Sequence, residues 1–129
     1  MQQVLILKDL LNIAVRQDEL SWEPFRIGVD IYRLYKDGEK GAAAALLRYK
    51  PGASVPQHDH IGFEHIFILS GSQTDQNGEH QVGTLVINPP SSNHKVISKD
   101  GCIVLAIWEK PISITSCETT NNQEPTTNN

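Results

Sequence analysis

The stretch "GASVPQHDHIGFEHIFILSG" (Gly52–Gly71) decides the reading of this chain. It places three of the five histidines and a glutamate within eight residues, at the mouth of a hydrophobic strand. Residues two apart on a strand point to the same side, so His58 and His60 aim two imidazoles at one point while Asp59 turns away. After a short link in which Gly62 eases a bend, Glu64 opens the next segment and brings a carboxylate to the same place. Two nitrogens and one oxygen make an open metal site, which one more donor would firm. His94, after "NPPSSN", is the best candidate for that donor; its other reading is a surface histidine following a turn.

Working outward, the chain reads as short strands 8–12 residues apart with turn signals between them, the pattern of an all-β sandwich or barrel. "RIGVDIYRLY" switches parity midway and is expected to be a bulged strand. "AAAALLRY" (Ala42–Tyr49) is read as strand despite its alanines, because turn signals bound it closely. Strands are also expected at "EHIFILSG", "TLVINPP", "HKVIS" and "CIVLAIW", with a hairpin at Asn77-Gly78. "VLIL" (Val4–Leu7) reads as a short strand. Asp9 caps a short helical turn after it, and "SWEPF" reads as a loop.

"EHIFIL" and "CIVLAIW" are apolar on both faces, unlike an antiparallel strand with one solvated side. One face lines the interior. The other needs a cover from the N-terminal segment, a second subunit, or both, and a homodimer is expected. The organisation is then an N-terminal segment (1–20) packing on the barrel or a partner subunit, a domain over 21–112, and a polar tail (113–129) expected to be disordered.

The 129 residues carry a net charge of −4 and no basic run, which argues against nucleic acid or an anionic membrane as partner. No signal peptide and no apolar run of membrane-spanning length is read. Cys102 and Cys117 form no CxxC pair and are expected to be reduced thiols in a cytoplasmic protein.

The spacing around the histidines resembles a known family. Gly52, five residues, His58-x-His60, three residues, Glu64, six residues and Gly71 match the first cupin motif at every position. Gly83, five residues, Pro89, four residues and His94 resemble the second. Ser91 and Ser98 depart from it, standing where the family usually has glycine and often has asparagine. From about residue 43 to 111, and less distinctly over 20–42, the chain is similar to the cupin domain of ChrR-type anti-sigma factors and their free-standing relatives.

That resemblance implies a cupin jelly-roll β-barrel, a double-sheet antiparallel sandwich, holding one divalent metal ion through His58, His60, Glu64 and His94. Three imidazoles and one carboxylate suit Zn, Fe, Mn, Ni or Co, with zinc or iron favoured. Tetrahedral zinc would be closed by the four groups, whereas six-coordinate iron or manganese would keep two positions open.

Two functions follow as expectations. One is a non-haem dioxygenase acting on a small diketone or hydroxyketone held in the barrel, with Arg48, Tyr49 and Trp108 as candidate wall residues. The alternative is a metal-dependent sensor or binding module without turnover. Residues 1–42 contain no His or Cys, and the chain has no room for the zinc-bearing, sigma-binding domain of ChrR-type proteins, so direct sigma-factor binding is not expected. His65 is expected to face away from the metal, and His80 to be solvated.

Overall fold

The computed structural model describes residues 3–114. Most of the expected tail, and Cys117 with it, lies outside the described residues. Residues 3–9 carry no regular structure where a strand was expected at Val4–Leu7. Asp9 does precede a helical turn. Leu10–Asn12 and Gln17–Glu19 are 3₁₀ turns flanking one turn of α-helix, α1 (Ile13–Arg16).

Ten strands follow. They are β1 (Glu23–Arg26), β2 (Val29–Lys36), β3 (Ala43–Tyr49), β4 (Ala53–His60), β5 (Glu64–Asp75), β6 (Gly78–Gln81), β7 (Leu85–Asn88), β8 (Asn93–Ser98), β9 (Cys102–Trp108) and β10 (Ile112–Ile114). β1 occupies the segment expected as a loop, with Pro24 on an edge strand, where a missing N–H is tolerated. β10 runs through Ser113 and Ile114, where the sequence reading began the tail. It pairs with β4 along Ile112↔His60 and Ile114↔His58.

All pairings are antiparallel and form two sheets that share β5. The first runs β1-β2-β3-β9-β5, with β7 on the other side of the first half of β5. The second runs β10-β4-β8-β5, with β6 paired to the end of β5. β5 therefore has to bend. Its register with β9 shifts between Ile68 and Ser70, and Gly71 follows at φ 75. A side chain on Gly71 would strike the backbone of Gly101 and Cys102, so only glycine fits this left-handed crossing. The curled sheet, with ends folded towards each other, is the cupin jelly roll.

Alternation along each strand divides the apolar residues. Val29, Ile31, Ala45, Leu47, Val55, Ile66, Ile68, Val96, Val104 and Trp108 fill the interior. Leu46, Leu69 and Ile103 point to the opposite face, where Ile13 packs on them with Leu7, Leu10, Leu20 and Trp22 around it. The N-terminal segment is thus a lid on the back of β3, β9 and β5. Burying Leu46 completely stabilises the fold by roughly 1.5–3 kcal/mol. The alanine-rich β3 is a strand because both of its faces are buried: Ala43, Ala45 and Leu47 face the interior, with Leu46 against the lid.

Candidate metal centre

The two sheets together gather His58, His60 and His94 from the second and Glu64 from the first, each 2–4% exposed. A bulge makes this possible. In the pairing of β4 with β8, Val55 lies opposite Val96 and His58 opposite His94. Three residues of β4 thus span what two residues of β8 span. The extra residue, at Pro56-Gln57, flips the parity of β4 so that Val55, His58 and His60 all face inward. His94 comes from the first turn of plain alternation in β8, with Val96 and Ser98 behind it. Its strand lies between β4, which it pairs along His58↔His94, and the far end of β5, which it meets at Thr74↔Ile97. Glu64 begins β5, between Asn88 of β7 and Trp108 of β9.

One ligand-type atom from each of the four residues lies within 4.8 Å of all the others. His94 Nε2 is 2.9 Å from His58 Nε2. Glu64 Oε1 is 2.9 Å from His60 Nε2 and 3.5 Å from His94 Nε2. The three rings stand edge to face, with centroids 4.5–5.0 Å apart.

The surroundings set which nitrogen of each ring carries the proton. His58 Nδ1 is 2.9 Å from the Pro56 carbonyl, which only accepts, so Nδ1 donates and Nε2 offers a lone pair. Ser92 Oγ donates to the Pro89 carbonyl at 2.6 Å and so accepts from His60 Nδ1 at 2.9 Å. His60 Nε2 is again left as an acceptor, misaligned for a hydrogen bond despite its closeness to Glu64. The backbone of the Pro89–Ser92 turn clamps His60 from both sides, through His60 N–H to Ser92 O and Ser91 N–H to His60 O, each 2.9 Å. Glu64 is fixed by Asn88 Nδ2 on Oε1 at 3.0 Å and by Trp108 Nε1 on Oε2 at 2.8 Å.

Electrostatics point the same way. Burial, only partly opposed by Glu64, lowers the His58 pKa from 6.5 to about 4. Burial likewise lowers that of His94. Burial alone would raise Glu64, but its short contact to His60 and the neighbouring imidazoles outweigh this and hold it at about 2. Near neutral pH the set is therefore one carboxylate with His58 and His94 neutral. Buried nitrogen lone pairs around an anion fit a divalent cation, which would satisfy the orphaned His60 Nε2 and the carboxylate together.

Beside the group lies a cavity of about 20 Å³ bordered by Phe25, Leu47, Tyr49, Val55, Gln73 and Trp108, among others. That is room on the scale of a water molecule or ion. Of the three expected wall residues, Tyr49 and Trp108 line it. Arg48 does not: it points to the outer face, pairs with Asp30 at 2.7 Å and lies over the Trp22 ring at 4.5 Å. His65 alternates with the inward Glu64 and Ile66, between Ile87 and Ile107 on the outer face. His80 departs from the solvated residue expected. It is half-buried, with Nε2 3.0 Å from Asp75 Oδ1. Asn88, Ser92 and Asp75 were not singled out from the sequence, and His80 was read only as a solvated residue. Each supports the site across a strand pairing or a turn, and none has a local spacing that would have marked it.

The ChrR Cupin-like domain model matches residues 11–110 of the chain. The anti-sigma-E factor ChrR of Cereibacter sphaeroides is 30% identical over 106 residues, which are 81% of this chain and 49% of that protein. The crystal structure of Rhodobacter sphaeroides SigE in complex with the anti-sigma ChrR aligns with TM-score 0.66 and 28% identity, over 75% of this chain and 54% of that one. An acetylacetone dioxygenase from Acinetobacter johnsonii aligns with TM-score 0.72 over 92% of this chain and 80% of that one, at 14% identity, a likeness of fold alone. The chain thus spans about half the length of the ChrR relatives it matches. These relatives overturn the reading that set direct sigma-factor binding aside: one match is an anti-sigma factor, and the ChrR structure was solved bound to SigE. The expectation rested on the composition of residues 1–42 and the length of the chain, neither of which describes the surface of the barrel.

Proposed function

This chain belongs to the ChrR cupin-like domain family, and from that premise we propose that it is a metal-centred regulatory module. It binds one divalent ion, zinc or iron first, through His58, His60, Glu64 and His94, and presents the loaded barrel to a protein partner. The observation that carries this reading is the convergence of three Nε2 atoms and one carboxylate oxygen in a buried pocket. The acceptors behind the Nδ1 atoms of His58 and His60 turn lone pairs inward. A bound ion would supply charge that ties β4, β5 and β8 together, and Lewis acidity at any open position.

The residues around the group bind and orient rather than move protons. Asn88 and Trp108 hold the Glu64 carboxylate, and Ser92 holds the His60 ring. Tyr49 keeps its proton, because burial raises its pKa far above the ordinary value and so denies it the part of a base. A cavity on the scale of a water molecule suits a module that senses occupancy better than one that turns over a diketone. A sigma factor is the partner class to test first, since sequence identity to the ChrR relatives (30% and 28%) exceeds that to the dioxygenase (14%).

A second reading, a dioxygenase acting on a small diketone or hydroxyketone, is favoured by the apolar wall of Phe25, Leu47, Val55, Ile66, Val96 and Trp108. One experiment separates the two. Protein loaded with zinc or with iron is assayed for retention of a sigma factor of the SigE kind and for oxygen uptake with acetylacetone. Retention that depends on the metal, without oxygen uptake, supports the module. Oxygen uptake with iron and no retention supports the enzyme and contradicts the module.

A further inference from the structure

We infer that Asp75 is a positioning residue for His94: it selects the ring form of His94 that can hold a cation, and His80 holds Asp75 in place for that task. This inference rests on the metal-site reading above and deepens it.

His94 differs from the other two imidazoles. His58 Nε2 is an acceptor, because His58 Nδ1 donates to the Pro56 carbonyl. His94 Nε2 lies 2.9 Å from His58 Nε2, and what passes between them depends on the ring form of His94. His94 Nδ1 is a buried nitrogen with no hydrogen bond. An ion held by His94 Nε2 needs a lone pair there, so the neutral ring must carry its proton on Nδ1.

Asp75 Oδ2 stands 3.6 Å from His94 Nδ1, just beyond hydrogen-bond length, on a side chain 2% exposed. It is the acceptor that makes the Nδ1–H form favourable. A small closing motion converts a buried orphan into a charge-assisted hydrogen bond. Without that acceptor, the ring form with its proton on Nε2 would be favoured and would compete with the ion.

The carboxylate is held from behind. Its Oδ1 accepts from Asn77 N–H at 2.8 Å and lies 3.0 Å from His80 Nε2. Asp75 and His80 sit on the two arms of the β5–β6 hairpin, in which Asp75 pairs with Gly78 and Gln73 with His80. The line His80–Asp75–His94 thus connects the largely exposed hairpin to the cluster. The hairpin is fixed to β8 as well, by Gln76 Nε2 donating to the Asn93 carbonyl at 2.7 Å.

The test compares wild type, Asp75→Ala, Asp75→Asn and His80→Ala. Zinc affinity is read by chelator competition, and the ring form of His94 by NMR of protein labelled with ¹⁵N histidine. The account expects Asp75→Ala to weaken zinc ~10–100-fold and to abolish a slowly exchanging, downfield Nδ1–H of zinc-loaded His94. Asp75→Asn, whose amide oxygen still accepts, restores the Nδ1–H signal and part of the affinity. His80→Ala gives a smaller loss of affinity. Zinc affinity within twofold of wild type in Asp75→Ala, with the Nδ1–H signal unchanged, overturns the inference. Should Asp75→Ala fail to fold, Asp75→Asn decides: wild-type affinity with an unshifted signal overturns the inference, and a several-fold loss with a shifted signal supports it. Wild type that takes no zinc defeats the metal-site reading itself, a result distinct from either.

Discussion

Glu64 and Trp108 are partners twice over: they face each other in the pairing of β5 with β9, and Trp108 Nε1 donates to Glu64 Oε2 at 2.8 Å. The same indole packs in the interior cluster, so one side chain couples the hydrophobic core to the orientation of the carboxylate. Trp108→Phe keeps most of the volume and removes the donor. It leaves Glu64 Oε2 buried and unsatisfied, which costs about 1–3 kcal/mol. Chemical denaturation should show that loss, and chelator competition a metal affinity lowered by about tenfold. An unchanged affinity would mean that the indole packs without orienting Glu64.

Acid should destabilise the protein when a chelator keeps it free of metal. His58 is lowered from 6.5 to about 4, so between those values the unfolded chain binds the proton and the folded one does not. Stability is therefore fully present above about pH 6.5 and falls as pH drops towards 4. Glu64, held at about 2 against 4.5, adds a further loss from pH 4.5 downward. At roughly 1.4 kcal/mol for each pH unit between the two values, the His58 part is on the order of 3 kcal/mol. Melting temperatures between pH 7.5 and 4 measure it. His58→Gln should flatten the upper part of the profile, and an equally steep profile in that variant would remove His58 as the cause.

Ser91 sits at φ 75, in the left-handed region, and its N–H donates to the His60 carbonyl at 2.9 Å. A side chain there costs about 1–2 kcal/mol, partly offset by the extra freedom glycine loses on folding, about 0.5–1 kcal/mol. Ser91→Gly should raise stability by about 0.5–1 kcal/mol without lowering metal affinity. Lower stability in that variant would mean that the hydroxyl matters more than the backbone strain.

Much of the site was legible because a motif with fixed spacing and strand parity agree on the same residues. His58 and His60 were assigned by i, i+2 alternation, and the structure places both inward. Parity alone did not guarantee that, since the bulge at Pro56-Gln57 sets which of β4's two faces is the inner one. The direct pairing of His94 with His58 across β4 and β8 was not legible, because strand order in a jelly roll depends on crossovers that no local pattern encodes. Asp75 and His80 were illegible for a related reason. Each is an ordinary polar residue in a turn-rich stretch, and their meeting with His94 depends on β5 bending at Gly71. "VLIL" misled because a short apolar run is equally consistent with a strand and with a segment laid on a sheet; Leu7 does the latter.

The lid is expected to stabilise the barrel without shaping the centre. Ile13 is 3% exposed and packs on Leu46, Leu69 and Ile103, on the face away from the histidines. Ile13→Ala should cost about 2–5 kcal/mol, read by urea denaturation, while the metal stoichiometry stays that of wild type. Loss of metal in a variant that remains folded would show that the back of the sheet shapes the centre.

The central claim is that His58, His60, Glu64 and His94 hold one divalent ion. Isothermal titration of chelator-treated protein with zinc, together with elemental analysis after desalting, tests it most directly. The account predicts one ion per chain and a higher melting temperature on loading, with both lost in His58→Ala and in Glu64→Gln. Wild-type protein that retains no zinc, iron, manganese, nickel or cobalt, and whose melting temperature none of them changes, would contradict it.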